Sequence, residues 1–166
     1  MKIIILGGHG FVGKNVGKIL LSTRHDVYSL SRKDGLDLTV YDSILEFLND
    51  LKPDCIINCA AKVGSLNYVS EQAAEIIDIN TRMILNIYKS LKETLPSCLL
   101  INPIANCAYP GHLEKFSEDL LSFGPLHQSV LSYGATRRIL LAADKCYQMQ
   151  YGLRSINFFV PNMYGP

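Results

Sequence analysis

The chain has 166 residues, 48% of them hydrophobic and 19% charged, with a formal net charge of +1. That length suits one ordinary domain with a single core, and the composition excludes a disordered chain. The near-neutral charge provides no long-range field toward nucleic acid or an anionic membrane, so neither is an expected partner.

The first apolar run, Lys2 to Leu6, is too short for a signal-peptide core or a membrane span and reads as a buried strand; a cytoplasmic protein is expected. The pattern then predicts a helix over 11–21 with Val12, Val16, Ile19 and Leu20 on one side, and a second strand over Asp26 to Leu30. A helix over 40–51 should bury Ile44, Leu48 and Leu51, with Thr39 and Asp42 spaced as an aspartate variant of the capping box. A third strand is predicted over Asp54 to Ala60. A long helix over 73–95 should carry the stripe Ile76, Ile79, Met83, Ile87 and Leu91, with Pro96 helping to stop it.

The fourth strand is predicted over Cys98 to Asn102. The connection that follows, Ala105 to Leu131, is too long for an ordinary structureless loop and is expected to be functional. A helix over 132–150 should align Ala135, Ile139, Ala142, Cys146 and Met149, and the fifth strand should run from Arg154 to Val160. Cys55, Cys59, Cys98, Cys107 and Cys146 form no CxxC pair and no zinc spacing with histidine, so no metal is expected and the thiols read as reduced and mostly buried. Strands separated by helices predict an α/β fold: a Rossmann-like doubly wound parallel sheet, five strands in the order 3-2-1-4-5, three αβα layers, with residues 1–166 as one NAD(P)-binding domain.

The strongest local motif is GGHGFVG, in which Gly7, Gly10 and Gly13 stand between a strand and a helix. Gly7 suits a tight turn, Gly10 leaves room for a pyrophosphate, Gly13 permits close helix–strand packing, and Phe11 and Val12 open the helix whose free N–H groups attract phosphate. A purely structural turn is the plainer alternative. The second strand ends in Ser31, Arg32 and Lys33, which suits the 2'-phosphate of NADP(H), with Arg32 as the clamp; a solvated basic turn is the other reading, and Asp34 keeps NAD(H) open. Asp37 and Leu38 are expected to line the adenine.

The runs INCAAKVG (57–64), NCAYPG (106–111), SYGATRR (132–138) and NMYGP (162–166) resemble the extended short-chain dehydrogenase/reductase family, also called the NAD-dependent epimerase/dehydratase family. Within it, AAKVG and CAYP resemble the branch of GDP-fucose synthases. The resemblance covers the whole chain but only the cofactor-binding half of such proteins, so the C-terminal substrate-binding part is expected to be absent. It implies an epimerase/reductase acting on a nucleotide sugar, possible substrates including a GDP-4-keto-6-deoxyhexose. The alternatives are another nucleotide-sugar epimerase or dehydratase, or a catalytically impaired cofactor-binding remnant or regulatory subunit.

The resemblance also implies site residues. Ala60, Ala61 and Lys62 would border the cofactor. Tyr133 would be the acid/base of a Y-x-x-x-K motif whose lysine position holds Arg137, and the position of the orienting hydroxyl holds Ala105, with Asn106 as a substitute donor. A phenol needs a nearby cation to ionise near neutrality, and residues four apart share a helix face, so Arg137 is expected to reach Tyr133. Cys107 matches a cysteine that assists epimerisation and reads equally as a packed thiol. Asn80 matches an asparagine near the active-site water and reads equally as a solvated polar residue. Asn162 and Tyr164 would lie near the nicotinamide. Family members pair through the helices after strands three and four, so a homodimer, or a separate chain completing the substrate site, is expected.

Overall fold

The computed structural model describes residues 1–165; Pro166, the end of the NMYGP run, lies outside the described residues. Five strands, β1 (Lys2–Leu6), β2 (Asp26–Leu30), β3 (Cys55–Asn58), β4 (Leu99–Ala105) and β5 (Arg154–Val160), form one parallel sheet. The helices are α1 (Phe11–Leu21), α2 (Tyr41–Leu51), α3 (Leu66–Glu71), α4 (Ala73–Thr94) and α5 (Leu131–Tyr151). The predicted α/β class and each of the five predicted strands are therefore present.

The order within the sheet differs from expectation. It is β2-β1-β3-β4-β5, so β3 lies beside β1 on the side away from β2, not outside β2. Burial gives the reason. β2 leaves Asp26 and Tyr28 exposed and tolerates an edge, whereas β3 is buried along most of its length and needs a neighbour on each side.

This order also sets the layers. The crossover from β1 to β2 runs one way across the sheet and the later crossovers run the other way, so right-handed connections place α1 on one face and α2, α4 and α5 on the other. Ile5 accordingly meets α1 beside Gly17, while Ile4, Leu6, Ile56, Leu100 and Ile104 pack with Ile44, Leu48, Ile84, Ile87 and Leu140 on the opposite face. β1 and β3 are the neighbours whose connections depart in opposite directions, and a crevice opens at their carboxyl ends.

Several local expectations are corrected. Thr39 and Asp42 form no capping box: α2 starts after Val40 without a side-chain cap, because the Thr39 hydroxyl and amide both donate to Asp37. On α1, Ile19 faces solvent, because Gly13 and Gly17 make the buried contact. On α5, Ala142, Cys146 and Met149 point outward, and Gly134, Arg137, Leu140 and Asp144 occupy the inward face.

Asp144 explains that inversion. Its carboxylate accepts hydrogen bonds from Tyr88 (2.8 Å), Asn157 (2.7 Å), Gln148 (2.9 Å) and the Ser155 hydroxyl. Asn102 extends the network by donating to Asn157 and accepting from Asn58, so buried polar side chains bridge β3, β4 and β5. A buried carboxylate so fully supplied with donors is tolerated where an unpaired one is not. Of the cysteines, Cys55 and Cys98 are buried, Cys59 and Cys107 half-buried, and Cys146 exposed.

Candidate functional site

At the crevice, the chain leaves β1 through Gly7, whose φ of 71° favours glycine. A Cβ there would also lie 2.8 Å from the backbone of Ala60, beyond the end of β3, so both backbone conformation and close approach exclude a side chain. The Gly10 amide donates to Gly7 O at 2.9 Å, and Gly10 is the N-cap of α1 without a side-chain cap. The first amides of α1 are thus left for an anion. Gly13 is buried, and a Cβ on it would come within 2.4 Å of Gly7 O. Phe11, exposed, and Val12, half-buried, form the start of α1.

A cavity of about 600 Å³ opens beside this turn. Of the residues singled out above, Gly7, Gly10, Arg32, Asp37, Leu38, Ala60, Ala61 and Lys62 line it. Arg32 lies in a short 3-10 turn (Arg32–Asp34) capped by Ser31; its carbonyl accepts from the Gly35 amide at 3.2 Å, and its side chain has no hydrogen bond or ion pair among the described residues. Lys33 is exposed in the same turn. Asp34 is engaged locally: one oxygen accepts from the Ser31 amide at 2.8 Å and meets His9 Nε2 at 2.9 Å. Asp37 accepts from the Thr39 hydroxyl and amide, and these bonds, helped by the Arg32 charge, hold its carboxyl below the ordinary value.

The loop after β3 is clamped from behind by Asn80. This side chain is fully buried in α4; its Oδ1 accepts from the Lys62 amide at 2.9 Å, and its Nδ2 donates to Lys62 O and Ile76 O at 2.8 Å. It is therefore no solvated polar residue: it fixes the backbone of the AAKVG run at the cavity wall. The Lys62 ammonium pairs with Glu75.

A second cluster lies at the end of β4 and the start of α5. Ala105 ends the strand, and Asn106–Ala108 make a 3-10 turn. A Cβ on Gly134 would come within 2.4 Å of Cys107 O, so the absence of a side chain there allows this turn to touch α5. The Arg137 guanidinium is buried and lies over the Tyr133 ring, 4.9 Å from its centroid, with its Nε unpartnered. Burial pushes the Tyr133 phenol up, and the Arg137 charge offsets that only in part. Burial likewise pushes the Cys107 thiol up to about 11, against the pull of Arg137. Asn162 and Tyr164 follow β5 and are exposed.

Two features escaped the sequence reading. Arg138 straps the long connection to α5, donating to Ala108 O (2.8 Å), Gly124 O (3.0 Å) and Leu121 O (2.9 Å). Asp78 and Arg82 of α4 also line the cavity. Their i,i+4 spacing signals only a surface ion pair; the packing of α4 beside the crevice gives them a place in the wall.

Residues 3–166 match the family described as NAD dependent epimerase/dehydratase. The chain is 28% identical over 172 residues to GDP-L-fucose synthase of Dictyostelium discoideum, covering 99% of this chain and 52% of that protein. It is 29% identical over 167 residues to GDP-L-fucose synthase of Sinorhizobium fredii, again covering 99% and 52%. The chain thus spans about half the length of the curated relatives it matches. Among solved structures, GDP-L-fucose synthetase from Naegleria fowleri bound to NADP superposes with a TM-score of 0.84 at 25% identity, over 99% of this chain and 55% of that one. The GDP-D-glycero-L-gluco-heptose synthase of Campylobacter jejuni shares the fold with a TM-score of 0.88 at 24% identity, over 99% and 48%.

Proposed function

Because the chain belongs to the NAD dependent epimerase/dehydratase family, we propose that it is the cofactor-binding half of a nucleotide-sugar epimerase/reductase, with NADP(H) preferred over NAD(H) in the cavity beside Gly7. The observation that carries this reading is the approach of Gly7 to Ala60, which leaves backbone where a phosphate ligand needs room, at the mouth of a cavity of about 600 Å³. The α1 N-terminus and Gly10 suit the pyrophosphate. Unpaired Arg32 suits a 2'-phosphate, since its planar fork matches phosphate oxygens. The names of the relatives support a GDP-linked sugar, and the resemblance carried by AAKVG and CAYP favours the GDP-4-keto-6-deoxyhexose class as substrate.

A bound reduced nicotinamide supplies the hydride for such chemistry. Tyr133, kept protonated at neutral pH by burial, serves as the proton donor to a substrate oxygen. Arg137 places positive charge against its ring. Cys107 stays a neutral thiol near neutrality, fitted to donate a proton and not to attack as a thiolate. Ala105 offers no hydroxyl, so Asn106 is the side-chain donor at that point of the turn. Assembly as a homodimer through the outer faces of α4 and α5 is part of this proposal, as is a cytoplasmic location; no helix among the described residues is long and apolar enough to cross a membrane.

A second reading, a cofactor-binding subunit without turnover of its own, is favoured by Ala105 and by the Arg137 guanidinium lying over the ring of Tyr133. Calorimetric titration with NADPH and then NADH, followed by NADPH consumption with a panel of GDP-sugars, separates the two. Binding with turnover supports the enzyme; tight NADPH binding without turnover on any of them supports the subunit. Failure of the folded protein to bind either dinucleotide removes both.

A further inference from the structure

Four residues of α4, Asp78, Ile79, Arg82 and Met83, face the cavity together, as the i, i+1, i+4 and i+5 positions of one helix side do. Ile79 and Met83 are half-buried and apolar, while Arg82 and Asp78 are 62% and 51% exposed in their side chains. The Arg82 fork is bidentate: Nε donates to Asp78 Oδ1 at 2.9 Å and NH2 meets Oδ2 at 2.9 Å. This geometry occupies the Nε edge of the guanidinium and holds its plane, leaving its outer N–H groups and its two faces free. Those faces are weakly hydrated and stack well on aromatic rings.

The charge pattern shows which part of a ligand meets this wall. Asp78 neutralises Arg82 at contact distance, which weakens its claim on a phosphate dianion. Arg32 lines the same cavity with no carboxylate at ion-pair distance among the described residues and is the better phosphate ligand. Asn86, one turn beyond Arg82, donates to Leu38 O at 3.1 Å, so α4 is joined to the segment holding Leu36 and Leu38, both buried and both lining the cavity. A pyrophosphate at Gly10 and a ribose at the end of β2 direct the base toward this region. What the wall offers there is apolar side chains and one planar cation, a surface suited to a flat heteroaromatic ring.

Resting on the dinucleotide reading above, we infer that the Arg82 guanidinium, pinned flat by Asp78, is the stacking platform for the adenine base. Arg82 then contributes to affinity for both dinucleotides alike and Arg32 to the choice between them. The flat face, and not the charge, is the active feature, so lysine cannot replace it.

The test is calorimetric titration of the 166-residue protein with NADPH and with NADH, for wild type, Arg82→Met, Arg82→Lys and Arg32→Met. Arg82 is exposed, and thermal melts of its variants are expected to match wild type. Both Arg82 variants should weaken NADPH and NADH by a similar factor of about ten, the scale of one lost base stack. Arg32→Met should weaken NADPH alone. Loss confined to NADPH in Arg82→Met would make Arg82 a phosphate ligand and overturn the inference, as would wild-type affinity in Arg82→Lys or no change in either variant. Wild-type protein that binds neither dinucleotide overturns the dinucleotide reading itself, and this inference with it.

Discussion

The guanidinium of Arg137 lies over the face of the Tyr133 ring, 4.9 Å from its centroid, one helical turn along α5. The expected proximity is present, yet burial outweighs the cation and the phenol is raised above its ordinary value of 10.0. In a low-dielectric site the cost of forming the anion is larger than the stabilisation from a charge set against the ring face.

Tyr133 should therefore titrate above 10.0, and Arg137→Met should move it higher. Phenolate absorbance of wild type minus Tyr133→Phe isolates this group, and an inflection below that value would refute the electrostatic account. The unfolded chain gives up this proton first, so the Tyr133 contribution to stability is complete below 10.0 and is lost as pH rises from there through the folded value. Any reaction that needs Tyr133 as a base should accelerate over the same alkaline range.

Gly7→Ala should destabilise the fold by about 2–3 kcal/mol, combining a left-handed backbone with a forced shift against Ala60. Urea unfolding measures the loss, and NADPH titration of the folded fraction should show binding abolished. A variant of wild-type stability would mean that the turn relaxes freely.

Asn80→Ala removes both bonds to the Lys62 backbone and one to Ile76 O. A loss of about 2–3 kcal/mol is expected, with a fall in melting temperature of roughly 4–10 °C. Hydrogen exchange should show the AAKVG segment losing protection before the strands do; uniform loss across the sheet would place the role of Asn80 elsewhere.

Arg138→Ala should free the connection between β4 and α5 while leaving the sheet intact. Alkylation with iodoacetamide reads this out. In wild type, exposed Cys146 should react first and half-buried Cys107, whose thiol is pushed up to about 11, should lag. In Arg138→Ala the Cys107 rate should rise several-fold with Cys146 unchanged, and an unaltered Cys107 rate would show that the strap does not hold that turn.

The elements, their α/β alternation and the glycine turn were legible in the sequence because each is written locally, in hydrophobic period and in backbone freedom over a few residues. The resemblance carried the family, and residues such as Gly10, Arg32 and Ala60 fall on one cavity because a strand's carboxyl end and the turn after it are adjacent in sequence. The same local pattern misjudged α5, where hydropathy favoured Cys146 and Met149. Hydrogen-bonding partners from β5 and α4 make Asp144 an interior residue, and no pattern within α5 reports them. The position of β3 beside β1, the clamp of Asn80 on a backbone 18 residues away, the Arg138 strap and the place of the Arg82–Asp78 pair in the cavity wall were likewise decided by tertiary packing. A buried polar group is stable only where distant segments complete its hydrogen bonds, and which segments meet is settled when the strands choose their neighbours.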